Sequence, residues 1–179
     1  YLRMIGEAVS TFRGEDVDGP TELRLELPVD ARLPEFYIDS ERLRLEAYQK
    51  LSAAASATAK SDAIDLVVEE LRDRYGEPPA EVEGLIAVAR LRRRAAQAGL
   101  ADVVAMGSNL RIAPANLPDS MRVRLQRLYP KAKLVAGGDA MVVPLPQDAD
   151  DANLIAWVRQ LLDALWPLPV SENAETASA

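Results

Sequence analysis

The sequence contains no cysteine and no histidine among its 179 residues. Without cysteine, the chain has no disulfide framework, no thiolate nucleophile and no cysteine-ligated zinc or iron–sulfur site. Without histidine, it lacks the side chain that most often serves as a general base near neutral pH and as a metal ligand. Together these absences exclude most familiar hydrolase constellations and redox chemistry through protein thiols.

Phosphate-binding loops are also missing. No GxxxxGK[ST] occurs, because Gly137 and Gly138 lead into Asp139 and Ala140 rather than a lysine, and no GxGxxG occurs. With 28 carboxylates, chance pairs are inevitable, so a glycosidase-like acid and base pair is not indicated. We therefore expect a domain that is not an enzyme and that has no catalytic residues, cofactor or metal.

Long apolar runs are absent as well. No stretch approaches about 18 consecutive apolar residues, and the N-terminal YLRMIGEAV lacks the basic region and apolar core of a secretion signal. The 49% of hydrophobic residues suffice for one core of ordinary size. We expect a soluble, cytoplasmic domain with no membrane partner.

Charge is distributed unevenly along the chain, whose net charge is -7. Residues 39–83 carry eleven carboxylates and six bases, a balance of -5, whereas residues 84–147 carry three carboxylates and ten bases, a balance of +7. Either the two ranges neutralise each other inside one domain, or each sign marks a separate docking surface. The sequence leaves both accounts open.

Turn-forming residues and polarity predict the boundaries. The charged, turn-rich RGEDVDG closes a predicted linker over residues 1–19, and the small, polar end of the chain predicts a disordered tail over 169–179. Residues 20–168 lie between them as one predicted α+β domain. Its first element is a strand within 21–27, where polar and apolar residues alternate.

Three helices are predicted in the next part of the domain. The first is capped by Asp39 or Ser40 and runs to about residue 57; the second begins at residue 61 or 62 and stops at Gly76. The third runs from Pro79 to about residue 98. Apolar residues recur along them at helical spacing, at Leu43, Ala47, Leu51, Ile64, Val67, Val68, Leu71, Tyr75, Val82, Leu85, Ile86 and Ala89.

After residue 100 the apolar period changes from about 3.6 to about 2. LADVVAMG, NLRIAP, KAKLVAG and AMVVPLP are strand candidates, with helices predicted at 118–129 and about 150–166. The order suggests two ββα-like units, at 100–129 and 132–166. We expect a three-helix unit followed by a small antiparallel sheet covered by helices, which is an α+β fold.

The second predicted helix has an acidic, outward face. On a helical wheel, Asp62, Leu66, Glu69, Glu70 and Asp73 lie opposite its apolar stripe. One interpretation is a solvated surface on which a single leucine is exposed. The other is a docking patch, in which carboxylates engage partner arginines and Leu66 is an apolar anchor.

Several segments resemble the C-terminal domain of bacterial transcription-repair coupling factors (Mfd). They are LPEFYIDSERLRLEAYQKL and EELRDRYGEPPAEVEGLIAVARLR, with DRYGEPP between two helices as the most specific, and YLRMIGEAV is similar to the helix that leaves the family's motor module. The resemblance implies a regulatory domain of a DNA translocase that removes stalled RNA polymerase and recruits excision repair.

The same resemblance implies roles for two carboxylates. In the family, the Glu-x-x-Asp-Arg-[Tyr/Phe]-Gly motif meets the N-terminal UvrA-binding domain of the same polypeptide, so Glu70 and Asp73 would face partner arginines. That contact would hold a closed form that masks the UvrA-binding surface and restrains the motor. UvrA and RNA polymerase would be reached indirectly, through the whole protein. The roles of Leu66 and Glu69 follow from the helix pattern alone.

Two basic groups supply the alternative function, a nucleic-acid-binding accessory domain using residues between 90 and 133. For the group at Arg90 and 92–94, we favour pairing within the domain, because on one helix these side chains point in several directions and stacking aromatics are absent nearby. Arg122, Arg124 and Arg127 form a possible basic surface on the predicted helix at 118–129. Since the net charge is negative, direct DNA binding is not expected.

Overall fold

The computed structural model describes residues 23–168, apart from 136 and 138. Five helices lie in this part of the chain: α1 (Glu41–Ala54), α2 (Ala63–Tyr75), α3 (Ala80–Gln97), α4 (Asp119–Leu128) and α5 (Asp151–Leu165). The strands are β1 (Arg24–Glu26), β2 (Asp102–Met106), β3 (Asn109–Ala113), β4 (Lys133–Leu134) and β5 (Met141–Pro144). The linker predicted at 1–19 and the tail predicted at 169–179 lie outside the described residues.

The first three helices form one hydrophobic unit. The Ser40 side chain accepts a hydrogen bond from the Leu43 amide, which fixes the start of α1, and α1 ends at Ala54, before the predicted residue 57. Their apolar stripes meet in a cluster that includes Leu51, Ile64 and Val82. The three-helix unit predicted from periodicity is therefore present.

The strands form one five-stranded sheet in the order β1-β2-β3-β5-β4. The β2/β3, β3/β5 and β4/β5 pairs are antiparallel, and α4 and α5 follow the two hairpins as the ββα pattern predicts. β1 pairs in parallel with β2, Leu25 lying opposite Val103, so the sheet is mixed. The α+β prediction is confirmed, with this parallel edge strand added to the antiparallel part.

One face of the sheet packs against helices. Directly opposite residues in neighbouring strands share a face, and Val103, Ile112 and Met141 are fully buried in a second cluster with residues of α3, α4 and α5. The opposite face carries charged side chains, including Arg111, which pairs with Asp102 at 3.1 Å. The core of this half therefore lies between the sheet and the helices.

Helix α3 joins the two cores. Its N-terminal part contributes Val82 and Ile86 to the helical cluster, and its C-terminal part contributes Leu91 and Ala95 to the sheet cluster. A side chain at Gly84 would place its Cβ 3.1 Å from the Asp30 carbonyl oxygen. The segment around Asp30 therefore passes close to α3. Because α2 packs against α3, it rests on a helix that belongs to both cores.

Candidate docking surface

Helix α2 presents its acidic face to solvent because its other face is buried. Ile64, Val68 and Leu71 pack in the three-helix core. On the opposite side, Leu66 is 55% exposed, and Glu69 and Asp73 are exposed. The structure therefore brings three of the four predicted docking residues together on one outward crest.

Glu70 differs from its neighbours because it is already paired. Lys50 Nζ, on α1, donates to Glu70 Oε1 at 2.7 Å, and Arg74 donates to the same oxygen at 3.4 Å. The hydrogen bond from Lys50 holds the pKa of the Glu70 carboxyl below its ordinary value of 4.5. Glu70 therefore lies on the flank of α2 that faces α1, where it joins the two helices.

The other flank of α2 is tied to α3. Arg90, on α3, donates to Asp65 at 2.7 Å. Between the two flanks, the carboxylates of Glu69 and Asp73 have no hydrogen-bond or ion-pair partner among the described residues, and the Leu66 side chain is exposed beside them. The crest is thus held at both sides while its own carboxylates stay available.

The Arg90–Asp65 pair also bears on the uneven charge along the chain. Within the part of the chain that is described, it is the one ion pair that connects residues 39–83 with residues 84–147. Direct ion pairing between the two ranges is therefore limited to this contact among the described residues. Glu69 and Asp73 take no part in it.

The DRYGEPP turn fixes the end of the acidic helix. The Tyr37 hydroxyl lies 2.8 Å from the Gly76 carbonyl and 3.1 Å from the Leu71 carbonyl, and donates to them. Gly76 has a φ of 88°, a conformation that favours glycine. Arg74 lies over the Tyr75 ring at 5.1 Å. The motif therefore has a structural role beside any role of its carboxylates.

The predicted basic surface is largely used inside the domain. Arg122 donates to the Leu117 carbonyl at 3.1 Å, and Arg124 donates to the Ala164 carbonyl at 2.9 Å. Only Arg127 of these three is exposed without a partner in the described residues. The structure therefore does not bring the three guanidinium groups together on one free surface.

The arginine group on α3 is also engaged. Arg93 donates to the Ser56 and Ala59 carbonyls at 3.1 and 2.7 Å, Arg92 donates to the Leu23 carbonyl at 2.9 Å, and Arg94 pairs with Asp163 at 2.7 Å. These contacts confirm pairing within the domain. Sequence reasoning did not identify the acceptors, because they are mostly backbone carbonyls or residues far away in the chain.

No group of three or more acidic side chains that could hold a metal ion occurs among the described residues. No helix there is both long enough and apolar enough to span a bilayer.

Comparisons with known proteins agree on one family. The TRCF domain model matches residues 27–124. A transcription-repair-coupling factor of Mycobacterium tuberculosis is 40% identical over 184 residues, which cover 92% of this chain and 15% of that protein. One of Staphylococcus haemolyticus is 33% identical over 116 residues, which cover 63% of this chain and 10% of that protein. The chain thus spans a small part of these relatives.

A solved structure shows the same fold. A crystal structure of the C-terminal domain of a transcription-repair coupling factor superposes with a TM-score of 0.66 at 20% sequence identity, covering 80% of this chain and 91% of that one. The chain belongs to the transcription-repair coupling factor family and has the fold of its C-terminal domain.

Proposed function

We propose that this domain is a non-catalytic, autoinhibitory docking module. The crest of α2, formed by Leu66, Glu69 and Asp73, binds the N-terminal UvrA-binding domain of the same polypeptide together with the adjacent Glu70. Docking masks the surface that UvrA needs and restrains the motor. Such a protein works in the cytoplasm, and it reaches UvrA and RNA polymerase through its other domains.

One observation carries the proposal: an exposed leucine lies next to two unpaired carboxylates on a helix that is fixed on both flanks. Leu66 is 55% exposed, and Glu69 and Asp73 lie three and seven residues further along the same face. An apolar centre with charged surroundings is typical of a docking patch. Because α2 is held by α1 and α3, little conformational freedom is lost on binding.

Charged pairs are well suited to a docking contact that has to open during function. Partner arginines can form charge-assisted hydrogen bonds with the exposed carboxylates. Such pairs, when exposed, contribute about 1 kcal/mol or less each and are weakened by salt. A docking contact made of several such exposed pairs can therefore form and separate readily.

Affinity between this chain and the separately produced N-terminal UvrA-binding domain tests the proposal. Asp73→Asn and Leu66→Ala are each expected to weaken binding by about threefold to thirtyfold, and raising the salt from about 0.1 M to about 0.5 M should weaken it further. Asp119→Asn is the matched control, because Asp119 is also exposed but lies on α4.

The same variants in the full-length protein test regulation. Asp73→Asn should raise ATPase activity, translocation or UvrA binding, because the closed form is destabilised. The proposed function is contradicted if Asp73→Asn changes none of these three activities and if, in addition, this chain does not bind the separate N-terminal UvrA-binding domain.

The alternative, a nucleic-acid-binding accessory domain, has less support. Most arginines between 90 and 133 donate to carbonyls or carboxylates of the domain, so they are not free for phosphates. The free cations among the described residues of this range are Arg127, Lys131 and Lys133. A salt-dependent shift of DNA by this chain would favour the alternative.

A further inference from the structure

The two carboxylates of the family motif stand in different electrostatic surroundings. Asp73 has no partner among the described residues. Glu70, three residues earlier, receives Lys50 and Arg74 on a single oxygen, Oε1, while nothing described donates to its Oε2. The three charges of Lys50, Glu70 and Arg74 sum to +1, so a further cation is repelled at Glu70, whereas Asp73 has no ion pair to compete with.

This arrangement obstructs binding of an arginine at Glu70. A guanidinium binds a carboxylate best through two parallel hydrogen bonds, which need both oxygens. Lys50 Nζ occupies Oε1 at 2.7 Å, and its ammonium also repels a second cation. We infer that Lys50 competes with the docking partner for Glu70 and thereby sets the strength of docking, an inference that rests on the proposed function.

The ion pair between Lys50 and Glu70 is accessible from solvent. Its side chain is 47% exposed and that of Glu70 is 38% exposed, so a partner can reach the pair. Glu46 lies four residues before Lys50 on α1 and lines the same groove between α1 and α2. Glu46 already accepts from Arg42 at 3.2 Å, so a displaced Lys50 ammonium returns to solvent with this paired carboxylate nearby. Because its side chain is about half exposed, the displaced ammonium is hydrated rather than buried without a partner.

Replacing Lys50 by methionine tests the competition, because it removes the ammonium and keeps an unbranched side chain. Affinity of the chain for the N-terminal UvrA-binding domain is expected to rise about threefold to fivefold, as expected for loss of an exposed competing pair. Lys60→Met is the matched control: Lys60 is also an exposed lysine, in the segment between α1 and α2, and it has no ion-pair partner among the described residues. It should change affinity much less than Lys50→Met.

A second substitution shows whether the gain passes through Glu70. In the Lys50→Met background, Glu70→Gln should abolish the increase. An NMR titration of the Glu70 carboxyl in Lys50→Met should move its pKa back towards the ordinary 4.5, which verifies that the carboxylate has been released.

The possible failures are distinguishable. If Lys50→Met weakens docking or leaves it unchanged while Asp73→Asn still weakens it, the competition is wrong and the docking surface stands. An increase that survives Glu70→Gln also overturns the inference, because the effect would then be one of net charge. If neither Asp73→Asn nor Leu66→Ala changes affinity, the proposed function itself fails.

Discussion

Arg94 Nε donates to Asp163 Oδ1 at 2.7 Å and so connects α3 with α5. The Arg94 side chain is 2% exposed and also donates to the carbonyls of Leu162 and Trp166, at the C-terminal end of α5. A helix end leaves carbonyls without partners in the helix, and a guanidinium is suited to them by charge and by geometry. This contact fixes the position of α3, the helix against which α2 packs.

Arg94→Ala is expected to lower the free energy of unfolding by about 2–4 kcal/mol, because it removes three hydrogen bonds and leaves carbonyls and a cavity behind. Urea denaturation followed by circular dichroism measures the change. Arg159→Ala is the control, since Arg159 contacts the same Asp163 oxygen at 3.4 Å but is 45% exposed. The control should lose less than about 1 kcal/mol. Equal losses for the two variants would contradict a role for the buried contact.

Tyr37 predicts how stability changes at alkaline pH. Burial, with a smaller contribution from the charge of Glu77, raises the pKa of Tyr37 above its ordinary value of 10.0. The resulting stability is complete below pH 10.0 and is lost as pH rises through the higher folded value, because the unfolded chain ionises first. Tyr37→Phe should therefore be less sensitive to pH above about 10 in urea denaturation.

The same variant also has an effect near neutral pH. Loss of the hydroxyl leaves the Gly76 carbonyl without this donor and removes a second contact to the Leu71 carbonyl, so Tyr37→Phe should cost about 1–2 kcal/mol at pH 7. Tyr129, whose pKa is also raised by burial, remains in both proteins and accounts for part of the alkaline dependence. An unchanged alkaline slope in Tyr37→Phe would rule out the assignment.

Helices and hairpins could be predicted from the sequence because their signals are local. The stripe of Ile64, Val68 and Leu71 gives α2, and its outward face follows from the same period. The alternation after residue 100 gives the four antiparallel strands. Leu66 could be placed on the surface for the same reason, and its exposure agrees.

Contacts between distant parts of the chain could not be predicted in this way. β1 pairs with β2 across three helices, and a short strand does not reveal its partner or direction. Lys50 reaches Glu70 from another helix, so a wheel of α2 alone shows Glu70 as free as Asp73. In the sequence, Arg94 is only one charge in a basic run, whereas tertiary packing buries it in the folded domain. What the local pattern lacked was the identity of the partners.

Arg124 and Arg127 lie on the same helix and distinguish a structural role from a role in binding DNA. Arg124→Ala should lower the free energy of unfolding by about 1–2 kcal/mol, because Arg124 donates to the Ala164 carbonyl in the last turn of α5. Arg127→Ala, at an exposed residue with no partner among those described, should change it by less than about 0.5 kcal/mol. Urea denaturation of both variants checks these values.

DNA binding gives the second measurement for the same pair. A mobility-shift assay at low salt should show no loss of affinity specific to Arg127→Ala, because one free guanidinium with two nearby lysines makes few phosphate contacts. If Arg127→Ala instead weakens a measurable, salt-dependent shift while its stability is unchanged, the basic surface binds nucleic acid. The crest on α2 would then be one of two functional surfaces, and the internal contacts of Arg122 and Arg124 would serve to orient α4 towards the DNA.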